Sequence, residues 1–405
     1  MPSSPPESVL GTAKSLLRPT LVRGAVASTQ LARRLRRRSS PFSAEPTLAI
    51  VGLLETASGL GVAARGLHRA LADRSPQLVS LSELSRTPRL PGAGSVVLTP
   101  RAPAACRTDI AIHVYNPDIF LAAVRRFGTG FLSASRVNVA FPIWETETLP
   151  PLWAEILSLY DVICSHSRFA ARAFEKGTGR PVAIIPNGVP EKPVRIRGTG
   201  DDPLVFLAMF DHRSCFDRKN PLGAVHAFRW AATSLPPGSA RLRIKCHSGT
   251  PDAMIDLLRS EAGTAPVEII ARTLDEAGIE HLWQECDCLV SLHRSEGFGL
   301  PVAEALSRAI PVIASRQGGI LDFTDDRGCL LVSGKPAVPP RDRGQYAEWT
   351  GWLEPDVAEA ASHIVAVVND YERAARLALA GRTMVAETLS TRSIRDRLDD
   401  ALQGL

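Results

Sequence analysis

From Thr47 onward, short apolar runs bounded by turn residues alternate with stretches whose apolar positions recur every three to four residues. The runs read as strands covered on both faces and the stretches as the helices that cover them, so the alternation predicts a parallel α/β architecture. Strands are predicted at 48–54, 77–81, 109–114, 137–141, 161–164 and 182–185, then at 204–209, 241–245, 267–270, 287–292, 311–314 and 328–332. Helical stretches fall between them, among them 62–72, 220–232, 252–261 and 301–308. Two series of six strands predict two Rossmann-like domains. The Pro-, Gly- and charge-rich run from Pro190 to Pro203 reads as their linker, giving domains over 46–195 and 196–380. Gly334 to Gly344 reads as a second loop. Helix-prone sequence over 354–404 closes the chain without a further strand, with 381–405 as a C-terminal helix.

Residues 1–45 depart from this pattern. They hold eight Lys or Arg against Glu7 and Glu45, leaving 39 basic and 40 acidic groups for the rest of the chain. The net charge of +5 therefore belongs to the tail, and a neutral body argues against a nucleic-acid-binding domain. Two readings of the tail stay open: a disordered solvated arm, or a short basic helix held on anionic lipid. Val9, Leu10, Ala13, Leu16 and Leu17 fall at helical spacing beside Lys14 and Arg18, Pro19 breaks that helix, and the second half shows no clean apolar stripe. No apolar run approaches the roughly 18 residues of a membrane span, and no secretory signal pattern is present. The expectation is a cytoplasmic protein, with the inner face of the plasma membrane as a peripheral site. Seven scattered Cys, with Cys286 and Cys288 too close for a C-x-x-C pair, read as small buried apolar residues in a reducing compartment.

Three loops after predicted strands carry candidate chemistry. In Ser291 to Ala305, a buried strand runs into a glycine-bearing loop and a helix that starts near Pro301. Ligands of open parallel sheets sit at the carboxyl ends of strands, where this loop lies. Gly297 and Gly299 permit close backbone approach, and the free amides of a helix start favour phosphate. Glu296 and Glu304 flank that start, an arrangement suited to a diphosphate with hydroxyl-bearing sugars on either side. The segment Met209 to Pro221 follows the first strand of the second half, and its Arg213 and Lys219 are candidate cations for a diphosphate leaving group; Arg218 reads as a substitute or as solvated. The segment Glu55 to Leu67 places Gly59 and Gly61 in a tight turn into a helix. It resembles a dinucleotide fingerprint, but Glu83 meets the later acidic requirement poorly, so the loop reads as approaching a phosphate or sugar across the cleft. His113 ends a strand and is expected either at the cleft, near the transferred sugar, or as a buried core histidine. Trp144 and Glu145 read as acceptor-side or packing residues, and His293 as a support of the Glu296 loop.

These residues resemble glycosyltransferase family 4, a retaining family with the GT-B fold, over roughly 47–390. The segments that carry it are S-G-L-G-V-A-A-R-G-L at 58–67, S-R-F-A-A-R-A-F at 167–174 with I-I-P-N-G-V at 184–189, R-K-N-P at 218–221 and E-G-F-G-L-P-V-A-E at 296–304. W-E at 144–145 and L-H-R-S-E-G-F-G-L at 292–300 are similar to the bacterial members that build surface polysaccharides and lipid-linked oligosaccharides. The resemblance implies two domains facing across a cleft, with a C-terminal helix crossing back to the first. It puts Glu296 and the amides of Gly297, Phe298 and Gly299 on the donor sugar and diphosphate, Glu304 on the nucleotide ribose, Arg213 with Lys219 on the diphosphate, and His113 near the sugar. Asp322 stands where many members have Glu.

The expected reaction is transfer of a hexose of mannose or glucose type, with retained configuration, from a UDP- or GDP-linked donor to a glycan or lipid-linked saccharide. No metal and no cofactor beyond the nucleotide sugar is expected, because no carboxylate pair has ligand spacing. Two other classes fit the same residues: a nucleotide-sugar epimerase of the same fold, and a non-catalytic glycosyltransferase-like membrane partner.

Overall fold

A computed structural model describes residues 19–36, 46–85, 108–197, 202–339 and 351–403. Each predicted strand is a strand. In the first half β1 (Leu48–Gly52), β2 (Gln77–Ser80), β3 (Ile110–Val114), β4 (Val137–Ala140), β5 (Val162–Ser165) and β6 (Ala183–Ile184) form one sheet, ordered β2-β1-β3-β4-β5-β6. In the second half β7 (Leu204–Met209), β8 (Ala240–Cys246), β9 (Val267–Ala271), β10 (Cys288–Ser291), β11 (Val312–Ser315) and β12 (Leu330–Val332) are ordered β12-β11-β10-β7-β8-β9. All pairings in both sheets are parallel. Helices cover both faces, which is why β1 and β3 are buried throughout and read as apolar runs, interrupted only by His113 in β3. The second sheet has the strand order of dinucleotide-binding domains. Its order reverses between β7 and β10, so the loops leaving those two strands diverge and open a crevice between them.

The helices are α1 (Pro19–Arg36), α2 (Gly59–Ala70), α3 (Phe120–Phe127), α4 (Trp153–Leu157), α5 (Arg168–Thr178), α6 (Phe216–Lys219), α7 (Pro221–Ala232), α8 (Asp252–Ala262), α9 (Glu276–Gln284), α10 (Leu300–Ser307), α11 (Val357–Asn369), α12 (Tyr371–Leu389) and α13 (Thr391–Leu402). Local chemistry sets their starts. Ser58 accepts from the Gly61 amide at 3.2 Å and Ser167 from the Ala170 amide at 3.1 Å, each satisfying an orphan donor of the first turn. Helix α7 starts on Asn220 with Pro221 following, and α10 starts one residue before Pro301.

Three expectations change. Residues 19–36, placed in a disordered or membrane-surface tail, form α1 and dock on the first domain; the candidate helix at 9–17 lies outside the described residues. Val22, Val26 and Thr29 supply a buried stripe too narrow to stand out in the sequence, while Arg33 pairs with Asp161 at 2.5 Å and Arg23 with Glu155 at 3.1 Å. The stretch 334–344, read as a loop, opens with β13 (Gly334–Ala337), which pairs antiparallel with β14 (Trp352–Pro355), a strand not foreseen ahead of the terminal helices. Trp352 is buried in the first domain's core beside Trp144 and Trp153, so this hairpin joins the two domains. The terminal helical stretch breaks at Ser390, which caps α13. Among the described cysteines Cys164, Cys246, Cys286, Cys288 and Cys329 are buried and free.

Helix α13 crosses back to the first domain. Ile394 and Leu398 are buried in the first sheet's core, Arg74 and Asp399 pair at 2.7 Å, and Arg395 donates to the Ala70 carbonyl at 2.5 Å. Gly188 leaves room for Ile394, since a Cβ there would lie 2.8 Å from its Cδ1. Ile394→Ala should cost about 3 kcal/mol, as large-to-small changes of buried Ile do, and lower the thermal midpoint; an unchanged midpoint would show that the helix is not anchored there.

Candidate active site

The crevice between β7 and β10 is walled by the residues that the sequence singled out most strongly. Met209, Lys219, Asn220, Ser291, Glu296 and Gly299 line a cavity at the strands' carboxyl ends, beneath the first turns of α7 and α10. The R-K-N-P segment builds one wall. Asn220, with φ of 49°, adopts the left-handed conformation that Asn tolerates better than most residues. Its side chain accepts from the Gly223 amide at 3.0 Å and donates to the Leu292 carbonyl at 2.9 Å, tying the start of α7 to the end of β10. Lys219, just before it, is thereby aimed at Glu296.

Glu296 Oε2 lies 2.5 Å from Lys219 Nζ and 3.5 Å from Arg218 Nη1. Burial alone would raise this carboxyl, but the charges of Lys219 and Arg218 outweigh it and hold it at about 2. Glu296 is therefore an anion across the physiological range, poised to accept hydrogen bonds from a hydroxyl-bearing ligand. The loop around it is fixed by close backbone packing. The Gly319 amide donates to the Glu296 carbonyl at 2.9 Å, and a Cβ on Gly318 or Gly319 would meet the Glu296 or Gly297 carbonyl at 2.1 Å. Gly299 has φ of 90°, open to glycine alone without strain. His293 supports the loop from below: its Nε2–H donates to the Gln317 carbonyl at 3.0 Å, and burial pushes its pKa down.

The first domain closes against this loop. A Cβ on Gly297 would stand 2.2 Å from the Trp144 carbonyl oxygen, and Ser167 Oγ donates to the Gly297 carbonyl at 2.5 Å. Ser295 Oγ donates to the Glu145 carbonyl. Asp322 accepts from the Arg168 amide at 2.6 Å and so caps α5 across the interface, at the helix end that favours a carboxylate; its side chain is spent there rather than on a ligand. Trp144 packs on Trp153 with ring centroids 4.8 Å apart.

Other candidates lie elsewhere. Glu304 is half-buried on α10, near Arg308, Lys192 and, from the first domain, Arg69; burial raises its carboxyl from 4.5 to about 7 despite these cations. Arg213 is not part of the cavity lining and forks onto Asp211, with contacts of 2.9 and 2.7 Å. The Phe298 ring is buried in the second domain's core, 5.3 Å from the Phe323 ring, leaving only its backbone for a ligand. Gly61 serves the local turn, since its Cβ would lie 2.3 Å from the Thr56 carbonyl, while Gly59 faces open space. His113 belongs to the buried alternative. Nε2 meets Asn138 Oδ1 at 2.9 Å, Nδ1 meets Tyr115 Oη at 3.2 Å, and Tyr115 continues to Tyr160 at 2.8 Å. Burial lowers its pKa to about 4, so the ring is a neutral core group.

Two residues emerge that the sequence had undervalued. Arg218 is not solvated: its side chain is 1% exposed, lodged between Glu296 and Glu145, which lies 3.4 Å away. Glu145 is likewise part of this charge cluster. The only sequence signals were the doubled cation in R-K-N-P and a carboxylate after the carboxyl end of β4.

Comparison with known proteins bears on the fold. Residues 216–397 match the model of a family described as family 4 glycosyltransferases in conflict systems. Anabaena HepE, solved in complex with UDP-glucose, aligns with a TM-score of 0.61 at 15% identity, over 89% of this chain and 100% of that one. S. aureus TarM aligns with a TM-score of 0.55 at 13% identity over 73% of this chain; the chain spans only 55% of TarM's length. The pneumococcal O-GlcNAc transferase GtfA, in complex with UDP and GlcNAc, gives 0.51 at 11% identity, over 73% of this chain and 57% of that one. No curated protein matches by sequence. The fold is GT-B, and the resemblance to family 4 glycosyltransferases holds in the second domain.

The Glu304 carboxyl gives a pH signature. Because its folded pKa is raised, folding holds a proton that the unfolded chain has released, and stability falls as pH rises from about 4.5 to about 7. Glu304→Gln removes this titration, so its melting temperature should gain on the parent's across that window; a constant difference would show ordinary titration.

Proposed function

We propose that the chain is a retaining hexosyltransferase that moves a mannose- or glucose-type sugar from a UDP- or GDP-linked donor to a saccharide hydroxyl. The observation that carries this reading is the Glu296–Lys219 pair in the switch-point crevice, with glycine-loop amides and a helix start beside it. In this reading Glu296 accepts from the sugar hydroxyls, while the amides of 297–299 and the Lys219 ammonium hold the diphosphate. Glu304 takes the ribose hydroxyls. Arg213 reaches the diphosphate only by leaving Asp211.

The bond from the anomeric carbon to the diphosphate oxygen breaks as the acceptor oxygen attacks from the same face. The acceptor's proton passes to the departing phosphate oxygen, and Lys219 stabilises the charge that grows there. No protein nucleophile is needed.

The acceptor in this reading is a glycan or lipid-linked saccharide, and the setting is polysaccharide or glycolipid assembly. Among the described residues no helix is long and apolar enough to cross a membrane. Helix α1, docked by one face, leaves Leu21, Leu31 and Leu35 exposed on the other. With Arg34 beside them, these leucines are the part of the basic tail that we assign to an anionic membrane surface at the cytoplasmic side. Leu31→Glu with Leu35→Glu should abolish co-sedimentation with phosphatidylserine vesicles, and undiminished binding would remove α1 from that role.

The central test is nucleotide release from a panel of sugar nucleotides, with and without membrane lipid extract. Release that needs the extract supports transfer to a lipid-linked saccharide; release without any acceptor points to an epimerase or hydrolase. Glu296→Ala and Lys219→Ala should each lower turnover by about 3 kcal/mol of transition-state stabilisation, on the order of a hundredfold. Turnover equal to the parent's in either variant would end the assignment.

A further inference from the structure

We propose that Glu145, a first-domain residue, positions the donor carboxylate: acting through the buried Arg218, it fixes where Glu296 stands, so that the donor pocket depends on a carboxylate of the opposite domain. This rests on the donor-site reading given above and adds to it a residue from the opposite domain.

The geometry is a chain of alternating charges. Glu145 Oε1 lies 3.4 Å from Arg218 Nη2, Arg218 Nη1 lies 3.5 Å from Glu296 Oε2, and Lys219 holds that same oxygen at 2.5 Å. Arg218 has little freedom to settle elsewhere. Its Nη1 donates to the Ser295 carbonyl at 2.8 Å and its Nε to the Ser214 carbonyl at 3.1 Å, so the guanidinium plane is pinned by the second domain's backbone. Glu296, the second-domain carboxylate beside it, is shared with Lys219, and Glu145 adds a second carboxylate from the first domain. Burial pushes the Glu145 carboxyl up, Arg218 pulls it down, and Glu296 and Lys219 act on it as well, so all four groups feel one another.

A buried guanidinium stays charged and must be paired. With Glu145 neutralised, the pull of Arg218 on Glu296 is no longer balanced by a carboxylate on its other side, and charge-assisted pairing draws Glu296 toward the guanidinium and off its place in the cavity. Backbone contacts then fix the distance over which the chain acts. Ser295 Oγ donates to the Glu145 carbonyl, and Gly297 packs on the Trp144 carbonyl with no room for a Cβ. The segment Trp144–Glu145 and the donor loop are thus held in register across the domain interface. Simple interface packing accounts for the backbone contacts but not for a buried arginine placed between two carboxylates from different domains.

The test compares Glu145→Gln, which keeps shape and removes charge, with Glu145→Asp, Arg218→Gln and the Glu145→Gln/Arg218→Gln pair. For each, kcat with a sugar nucleotide and the Kd values of sugar nucleotide and of free nucleoside diphosphate are measured. Glu145→Gln should lower kcat by roughly 30-fold, within the hundredfold that a misplacement of about 1 Å costs. It should weaken the sugar nucleotide while leaving the nucleoside diphosphate within about twofold, because Lys219 and the glycine amides are untouched. Glu145→Asp should recover part of the loss, and Glu145→Gln should add nothing once Arg218 is gone. Parental kcat in Glu145→Gln, equal weakening of both ligands, no recovery with Asp, or additive losses in the double variant would each overturn the proposal, and the Asp comparison decides it if the Arg218 variants do not fold. Parent protein that binds no sugar nucleotide would overturn the functional reading itself, an outcome distinct from all of these.

Discussion

One largely buried carboxylate organises the crevice of the second domain. Glu296 has been taken out of water, which by itself would neutralise it, and two neighbouring cations reverse that outcome and keep it ionised. Lys219 and Arg218 reach it only because β7 and β10 are neighbours in the sheet although 78 positions separate Arg218 from Glu296 along the chain. The left-handed Asn220, the Pro221 start of α7 and the glycine pair 318–319 are local devices that hold these charges in place. At Gly318 and Gly319 an added Cβ would run into the Glu296 and Gly297 carbonyls and move the Glu296 loop.

The same loop is where the domains meet. Gly297 is backed by the Trp144 carbonyl and bonded by Ser167, Asp322 caps a first-domain helix, and Arg218 is shared with Glu145. The hairpin carrying Trp352 and the returning helix α13 with Ile394 fasten the two domains at further points. The cavity beside Glu296 is lined by the second domain, but the loop that forms its wall is held from both domains.

The N-terminal basic segment acquires a structural meaning from α1. Its inner face is committed to the first domain through Val22, Val26 and the Arg33–Asp161 pair, so the leucines on the other side are presented by a fixed platform rather than by a loose arm. A fixed platform orients the domain against whatever it meets.

Much of the fold was legible along the chain because its signals are short-range. A strand buried on both faces is an apolar run, a helix start is a Ser or Asn cap followed by Pro or Gly, and strand order places loops at one edge of the sheet. Glu296 and Lys219 were found together for that reason: each follows a strand end, and parallel strands put their ends side by side. What the chain alone left open were questions of partner and face. His113 sits on a strand whose alternate residues face opposite sides, and only the packing of Asn138, Tyr115 and Tyr160 decided that its ring enters the core. Arg213 turned to Asp211, two residues away, whereas Arg218 turned inward to a carboxylate 73 positions distant. Asp322 found a helix end 154 positions away, and the stripe of α1 had no visible target until the first domain supplied one. Local periodicity specifies which residues form an element; which charge neutralises which depends on distances that exist only after both domains have folded and closed.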